Sequence, residues 1–255
     1  MAFTSDFSEE DALLRARIDD ACQLCEWRSC PRFVGFLDEH RQAVARAVLR
    51  EKGEQNFCFF GGYEGAERTF LGVFPSFITP QAETFPITAI GFSYRKTAAL
   101  SHRDFLGTLL SFGLKREKIG DIVCTEGQTV VFVCEELADF VTELVTKVGG
   151  EGVKAQRPFN GTLSVQRRFE EWHDTVASPR LDSVLKVALR TSREEAARKI
   201  VAGLVSLNHM PCLSVSQEIR ESDVLSVRGG GRFVVDKLGP QTKKGRLFIN
   251  MKRFI

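Results

Sequence analysis

"RLDSVLKVALRTSREEAARKIVAGLVSLN", residues 180–208, reads as two short helices running into a strand, and it decides the character of the carboxy-terminal third of the chain. In the second helix Ser192 and Glu195 form a capping box, Ala196, Ala197, Ile200 and Val201 share one stripe, and Gly203 is the stop. In the first, Ser178 is the expected cap and Pro179 the first helical residue, with Leu181, Val184, Leu185 and Ala188 on the buried stripe. Arg180 and Arg193 therefore each fall in a first turn, where the helix dipole disfavours a cation by roughly 0.3–1 kcal/mol. Arg193 even lies at the centre of its apolar arc. Free N–H groups at both helix starts favour an anion, and a phosphate would answer both conflicts at once.

The residues behind the helices support a small α-β module. "LVSLN" is a strand, "HMP" a turn, and "CLSVSQEIRESDVLSVRGGGRFVVDKL" (212–238) alternates as strands do. Gly229, Gly230 and Gly231 are flanked by strands, so they read as a tight turn rather than a phosphate cradle. Charge follows the same boundary: residues 178–255 hold 15 Lys+Arg against 7 Asp+Glu, although the whole chain holds 35 against 33. That asymmetry points to a polyanion-binding module on an ordinary globular body, with nucleic acid the leading partner. The candidate nucleic-acid contacts are Arg180, Lys186, Arg190, Arg193, Arg198, Lys199, Arg228 and Arg232. With Arg193 facing solvent, Arg193→Glu is expected to leave folding nearly intact and to weaken nucleic-acid binding by roughly 1–3 kcal/mol.

Upstream, residues 8–27 and 31–52 read as amphipathic helices, and "NFCFFGGYEGAERTFLGVFPSF" (56–77) as a hairpin or short sheet turning near Gly61-Gly62. They form an expected N-terminal α/β domain, 1–85. From residue 86 the pattern is strand "ITAIGFSYR", helix "SHRDFLGTLLSFG" capped by Ser101, a hairpin turning at Glu126-Gly127, helix "ELADFVTELVTKVGG" and strand "GVKAQ". The order β-α-β-β-α-β predicts a ferredoxin-like plait over 86–175. Its open face offers Phe92, Tyr94 and Phe132 for base stacking, but the glycine-aromatic string of an RNA-recognition motif is absent, which favours core or scattered surface rings. Tyr94, Arg95, Lys96, Lys115, Arg116 and Lys118 are secondary RNA-binding candidates. Residues 159–179 read as a connector holding at most one strand, with the last domain spanning 176–255. The fold class is α+β.

Other chemistry finds little support. Seven cysteines, an odd number, read as reduced thiols. Cys22, Cys25 and Cys30 with His40 have the elements of a zinc site, yet no second C-x2-C exists, and small apolar helix residues are the preferred reading. The expectation is therefore no metal and no cofactor. The four histidines, 40, 102, 173 and 209, are far apart, no G-x-S-x-G or H-E-x-x-H string is present, and "HRD" at 102–104 lacks the rest of a kinase loop. No stretch approaches the roughly 18 apolar residues of a membrane span, so the expectation is a cytoplasmic, non-catalytic nucleic-acid binder.

"RLDSVLKVALRTSREEAARKIVAGLVSLN…SDVLSVRGGGRF" resembles the S4 (αL-type) RNA-binding domain. With "GGYEGAER" at 61–68 and "HRDFLGTLLSFGLKREKIGDIV" at 102–123, the chain is similar to the YlmH family of bacterial S4-domain proteins. The resemblance implies an N-terminal domain, a plait-like RNA-binding middle domain and the S4 domain. It also implies a ribosomal role, with rRNA, tRNA or both as ligand, the large subunit as partner, and quality control or rescue of stalled chains as the process. By motif position it assigns Arg180 and Arg193 to RNA. An RNA-modification accessory or vestigial enzyme is the alternative, and a division-linked adaptor the third reading. His209 and Ser222 stand where glycine is usual in the motif.

Overall fold

The computed structural model describes residues 9–159, 161, 163, 169–243 and 245–254. The chain divides into two units, Met1–Val165 and Gln166–Ile255. In the first, α1 (Glu9–Arg28) is followed by β1 (Arg32–Leu37), α2 (Glu39–Lys52), β2 (Phe57–Phe60) and β3 (Thr69–Val73), and the strands form an antiparallel sheet ordered β1-β3-β2. Residues 32–37, expected to open a helix, are instead a strand. Asp38 separates the two elements: its carboxylate accepts the Arg41 N–H at 2.9 Å, so α2 starts only at Glu39. Gly35 is required in β1, because a Cβ there would lie 2.7 Å from the Glu117 carbonyl oxygen.

Next come β4 (Ile87–Ser93), α3 (His102–Ser111), β5 (Ile119–Thr125), β6 (Gln128–Cys134), α4 (Ala138–Leu144), a small hairpin of β7 (Lys147–Val148) and β8 (Glu151–Gly152), and β9 (Lys154–Gln156). The main sheet is antiparallel and ordered β5-β6-β4-β9, with the first and third strands of the β-α-β-β-α-β string at its centre. Asp104 Oδ2 accepts both the N–H and the hydroxyl of Ser101, fixing the start of α3. The second helix is shorter than expected: it stops at Leu144, and Gly149 and Gly150, both at positive φ, turn the β7–β8 hairpin.

Side chains alternate across this sheet, and both faces are buried. Ile90, Phe92, Val131 and Val133 face the helices, against Phe105, Leu109, Ala138 and Val141. Val130, Phe132 and Cys134 face the other way, into Phe36, Phe70, Phe74 and Phe85. The face expected to be open for base stacking is thus covered by the N-terminal strands. Phe92 and Phe132 are core residues, not stacking platforms.

The second unit contains β10 (Phe169–Val176), α5 (Leu181–Leu189), α6 (Arg193–Val201), β11 (Val205–Leu207), β12 (Met210–Pro211), β13 (Val224–Val227), β14 (Gly231–Gln241) and β15 (Leu247–Phe254). Its antiparallel sheet is ordered β10-β15-β14-β13-β11-β12. Leu181, Val184, Leu185 and Ala188 of α5, with Ala196 and Ile200 of α6, pack on Leu225, Phe233, Val235, Ile249 and Met251 of the sheet. The expected connector supplies a full edge strand, since β10 pairs with β15 from Phe169↔Phe254 to Val176↔Leu247. Residues 160, 162 and 164–168 of that connector lie outside the described residues. Gly229 (φ 73°) and Gly231 (φ 104°) make the turn between β13 and β14, as their flanking strands predicted. No helix among the described residues is long and apolar enough to cross a membrane.

Candidate nucleic-acid interface

The start of α5 is built differently from its expected cap. Arg180, not Ser178, is the N-cap residue, with extended backbone angles, and Leu181 is the first helical residue. The Leu181 N–H donates to the Gln217 carbonyl at 2.8 Å and the Asp182 N–H to that of Val215 at 3.1 Å. These two amides are therefore satisfied by the 215–217 segment and do not form the free anion cradle expected from a bare helix start. At α6 the expected cap is present: Ser192 Oγ accepts the Glu195 N–H at 3.1 Å.

The arginine conflict is settled by a side chain. Asp182, in the first turn of α5 where the dipole favours a carboxylate, accepts Arg193 Nε–H on Oδ2 at 2.8 Å and Arg180 Nε–H on Oδ1 at 3.2 Å. Arg180 Nη2 lies 3.5 Å from Oδ2, and the Ser183 N–H donates to Oδ1 at 2.9 Å. The Asp182 side chain is only 6% exposed, whereas those of Arg180 and Arg193 are 41% and 53% exposed. Burial pushes the Asp182 carboxyl up, but the hydrogen bonds and charges of Arg193 and Arg180 outweigh it and hold the group below the ordinary carboxylate range.

Two half-exposed guanidiniums thus share one buried carboxylate. Each guanidinium has five N–H donors, and Asp182 engages only the Nε–H of Arg193 and the Nε and Nη2 groups of Arg180. The rest can meet an anion bidentately. This geometry corrects the expectation for Arg193→Glu: the site is a helix start, but the new carboxylate would stand against buried Asp182, so folding would not be left intact.

The other candidates are spread over the unit. Lys186 is exposed on α5. Arg190 is the left-handed C-cap of α5 (φ 52°), one helix length or about 15 Å from Arg180, and its guanidinium lies 5.6 Å from the Trp172 ring centre. Arg198 and Lys199 both pair with Glu195, at 2.9 and 3.7 Å. The glycine turn that carries Arg228 and precedes Arg232 packs on Leu189, since a Cβ at Gly230 would lie 2.8 Å from Leu189 Cδ2. Arg232 covers the Phe254 ring at 3.9 Å. Arg180 and Arg193 are the pair brought onto one group; Arg190, Arg228 and Arg232 gather toward the far end of α5.

In the first unit Arg95, Lys96 and Lys115 are exposed. Tyr94 is engaged internally: its hydroxyl lies 2.9 Å from Thr129 Oγ1 and donates to the Thr125 carbonyl at 3.2 Å. Lys118 pairs with Glu136 at 2.6 Å. Arg116 is a correction. Its Nη1 donates to the carbonyls of Ile119 and Gly120, and burial lowers its pKa, so it braces its own loop.

Pattern reading missed Asp121, which accepts the Tyr63 hydroxyl and the Glu67 N–H, each at 2.7 Å, and the Arg68 N–H at 3.0 Å. Arg68 in turn donates to the carbonyls of Ile119, Phe36 and Arg116, and burial pushes its pKa down to about 10. The strings at 61–68 and 102–123 are therefore two halves of one locked contact. At Cys22 and Cys25, read as small apolar helix residues rather than zinc ligands, Cys25 Sγ faces the Val73 carbonyl at 3.5 Å and burial pushes Cys22 up to about 11. His40 Nε2 instead lies 3.0 Å from Asp11 Oδ1, and no group of His, Cys, Asp and Glu among the described residues is arranged to hold a metal.

Residues 80–159, which contain the plait, match the family model described as "Putative RNA-binding domain in YlmH". The chain is 34% identical over 247 residues to the "Ribosome-associated protein quality control protein P2" of Bacillus subtilis (strain 168), covering 94% of this chain and 95% of that one. It shares a fold with the "Cell division protein ylmH from Streptococcus pneumoniae" at a TM-score of 0.50 and 19% identity, over 61% of this chain and 94% of that structure. Identity of that extent, over nearly the whole of both chains, places the protein in the YlmH family.

Proposed function

We propose that this protein is a non-catalytic RNA binder of the translation machinery that docks an S4-type carboxy-terminal unit on structured rRNA, tRNA or both, at the large ribosomal subunit in the cytoplasm. The observation that carries this reading is the Arg180–Asp182–Arg193 corner, where two half-exposed guanidiniums meet on one buried carboxylate and hold further N–H groups that it does not engage. Guanidinium forks match phosphate oxygens bidentately, and a basic unit on an otherwise acidic chain gives the contact its orientation. The printed name of the Bacillus subtilis relative, a ribosome-associated quality-control protein, and the RNA-binding description of the matched family model support the same direction.

Co-sedimentation with purified bacterial large ribosomal subunits tests it. The full chain is expected to pellet with the subunit at moderate salt, and the double variant Arg180→Gln/Arg193→Gln to stay in the supernatant. Equal pelleting of a folded double variant would contradict the assignment. Methyl transfer or pseudouridine formation on the bound RNA would contradict the non-catalytic part.

A further inference from the structure

We infer that Asp182 is a positioning residue for RNA: it fixes Arg180 and Arg193 as one preformed two-pronged phosphate clamp. This rests on the RNA-binding reading above. A carboxylate this close to a phosphate site repels the ligand, so its presence calls for a compensating role. Geometry supplies one. Both Asp182 oxygens are engaged from inside the protein, Oδ1 by the Ser183 N–H and Arg180 Nε–H, Oδ2 by Arg193 Nε–H. The backbone beneath is tied to the 215–217 segment through the Leu181 and Asp182 amides, so the carboxylate cannot follow a moving arginine.

Free arginine side chains are among the most mobile groups on a surface, and a ligand that captures them must order them. Here that ordering is complete before RNA arrives. Arg193 retains both terminal NH2 groups and Arg180 retains Nη1 for the two non-bridging oxygens of a phosphodiester. The triad carries a net charge of +1, and the clamp gains orientation at the expense of raw charge. Arg198 and Lys199 offer a contrast: their partner Glu195 is partly exposed rather than buried, and it lies on their own helix.

The sign of one substitution separates positioning from bulk electrostatics. Asp182→Asn adds a positive charge to the protein, yet it is expected to weaken binding of the full chain to purified large ribosomal subunits by about tenfold, in line with releasing two long side chains. Glu194→Gln, the same charge change beside Arg193 on an exposed residue, is expected to leave binding equal or tighter. A folded Asp182→Asn protein that binds as well as wild type or better overturns the inference, while the RNA reading survives provided Arg193→Gln still weakens binding. Wild-type protein that does not bind the subunit overturns both. Should Asp182→Asn fail to fold, nitrogen-15 relaxation of arginine Nε–H groups in the wild type decides: slow, ordered signals for Arg180 and Arg193 against a mobile Arg198 support the clamp, and equal mobility of all three overturns it.

Discussion

The two arginines stand where helix electrostatics disfavours them because a buried acid, two residues from Arg180 and one helix away from Arg193, needs them. Exposed ion pairs contribute about 0–1 kcal/mol, but a buried carboxylate stripped of its partners costs several. Arg193→Glu is therefore expected to destabilise the carboxy-terminal unit by about 2–4 kcal/mol in urea unfolding. Proton linkage gives an independent check. The folded Asp182 carboxyl lies below its ordinary value of 3.8, so its stabilisation is complete above about pH 4 and fades as pH falls through the lower folded value. An acid titration should show wild-type stability dropping more steeply below pH 4 than that of Arg180→Gln/Arg193→Gln. Ser222, at φ 70° where the related motif has glycine, holds a backbone conformation that costs a side chain energy. Ser222→Gly should raise stability by about 0.5–1 kcal/mol, measured by thermal melting; a loss would show that the hydroxyl has a role of its own. Arg180 and Arg193 were legible as anomalies from capping and azimuth alone. Asp182 was not, because its link to Arg193 spans 11 positions across a helix crossing, beyond any periodic pattern.

Among the elements, the sheet of the plait is buried on both faces, and this decides what its aromatic residues can do. Phe132 is 3% exposed, with its ring 5.0 Å from that of Tyr63 and its Cβ close behind Gly120. Phe132→Ala should cost the first unit about 3–5 kcal/mol in urea unfolding, from lost transfer energy plus a cavity. RNA affinity of the protein kept below its melting temperature should be unchanged. A selective loss of single-stranded RNA binding without a loss of stability would instead mean that the ring is reached by bases. The β-α-β-β-α-β order was legible because each element carries its own local signal: Ser101 with Asp104, the Glu126-Gly127 turn, alternation in "TVVFVC". The strand at 32–37 is hidden in the sequence because Phe33, Phe36 and Leu37 also satisfy helical spacing, and only Asp38 marks the break. That the N-terminal strands cover the sheet depends on contacts such as Phe36 against Phe70, far apart in sequence, which composition cannot show.

At the scale of the whole molecule, residues 178–255 are net basic and the rest of the chain is net acidic, a distribution that would orient an approach to a polyanion with the carboxy-terminal unit leading. Binding of this kind releases counterions from the RNA, and each lost phosphate contact lowers the dependence of affinity on salt by about one unit of log–log slope. The most direct test is therefore the salt dependence of binding to purified large ribosomal subunits, measured from about 50 to 200 mM salt for wild type and Arg193→Gln. The prediction is weaker binding with a slope shallower by about one or more, since loss of Arg193 also alters the anchor of Arg180. A folded Arg193→Gln protein with unchanged affinity and unchanged slope would contradict it.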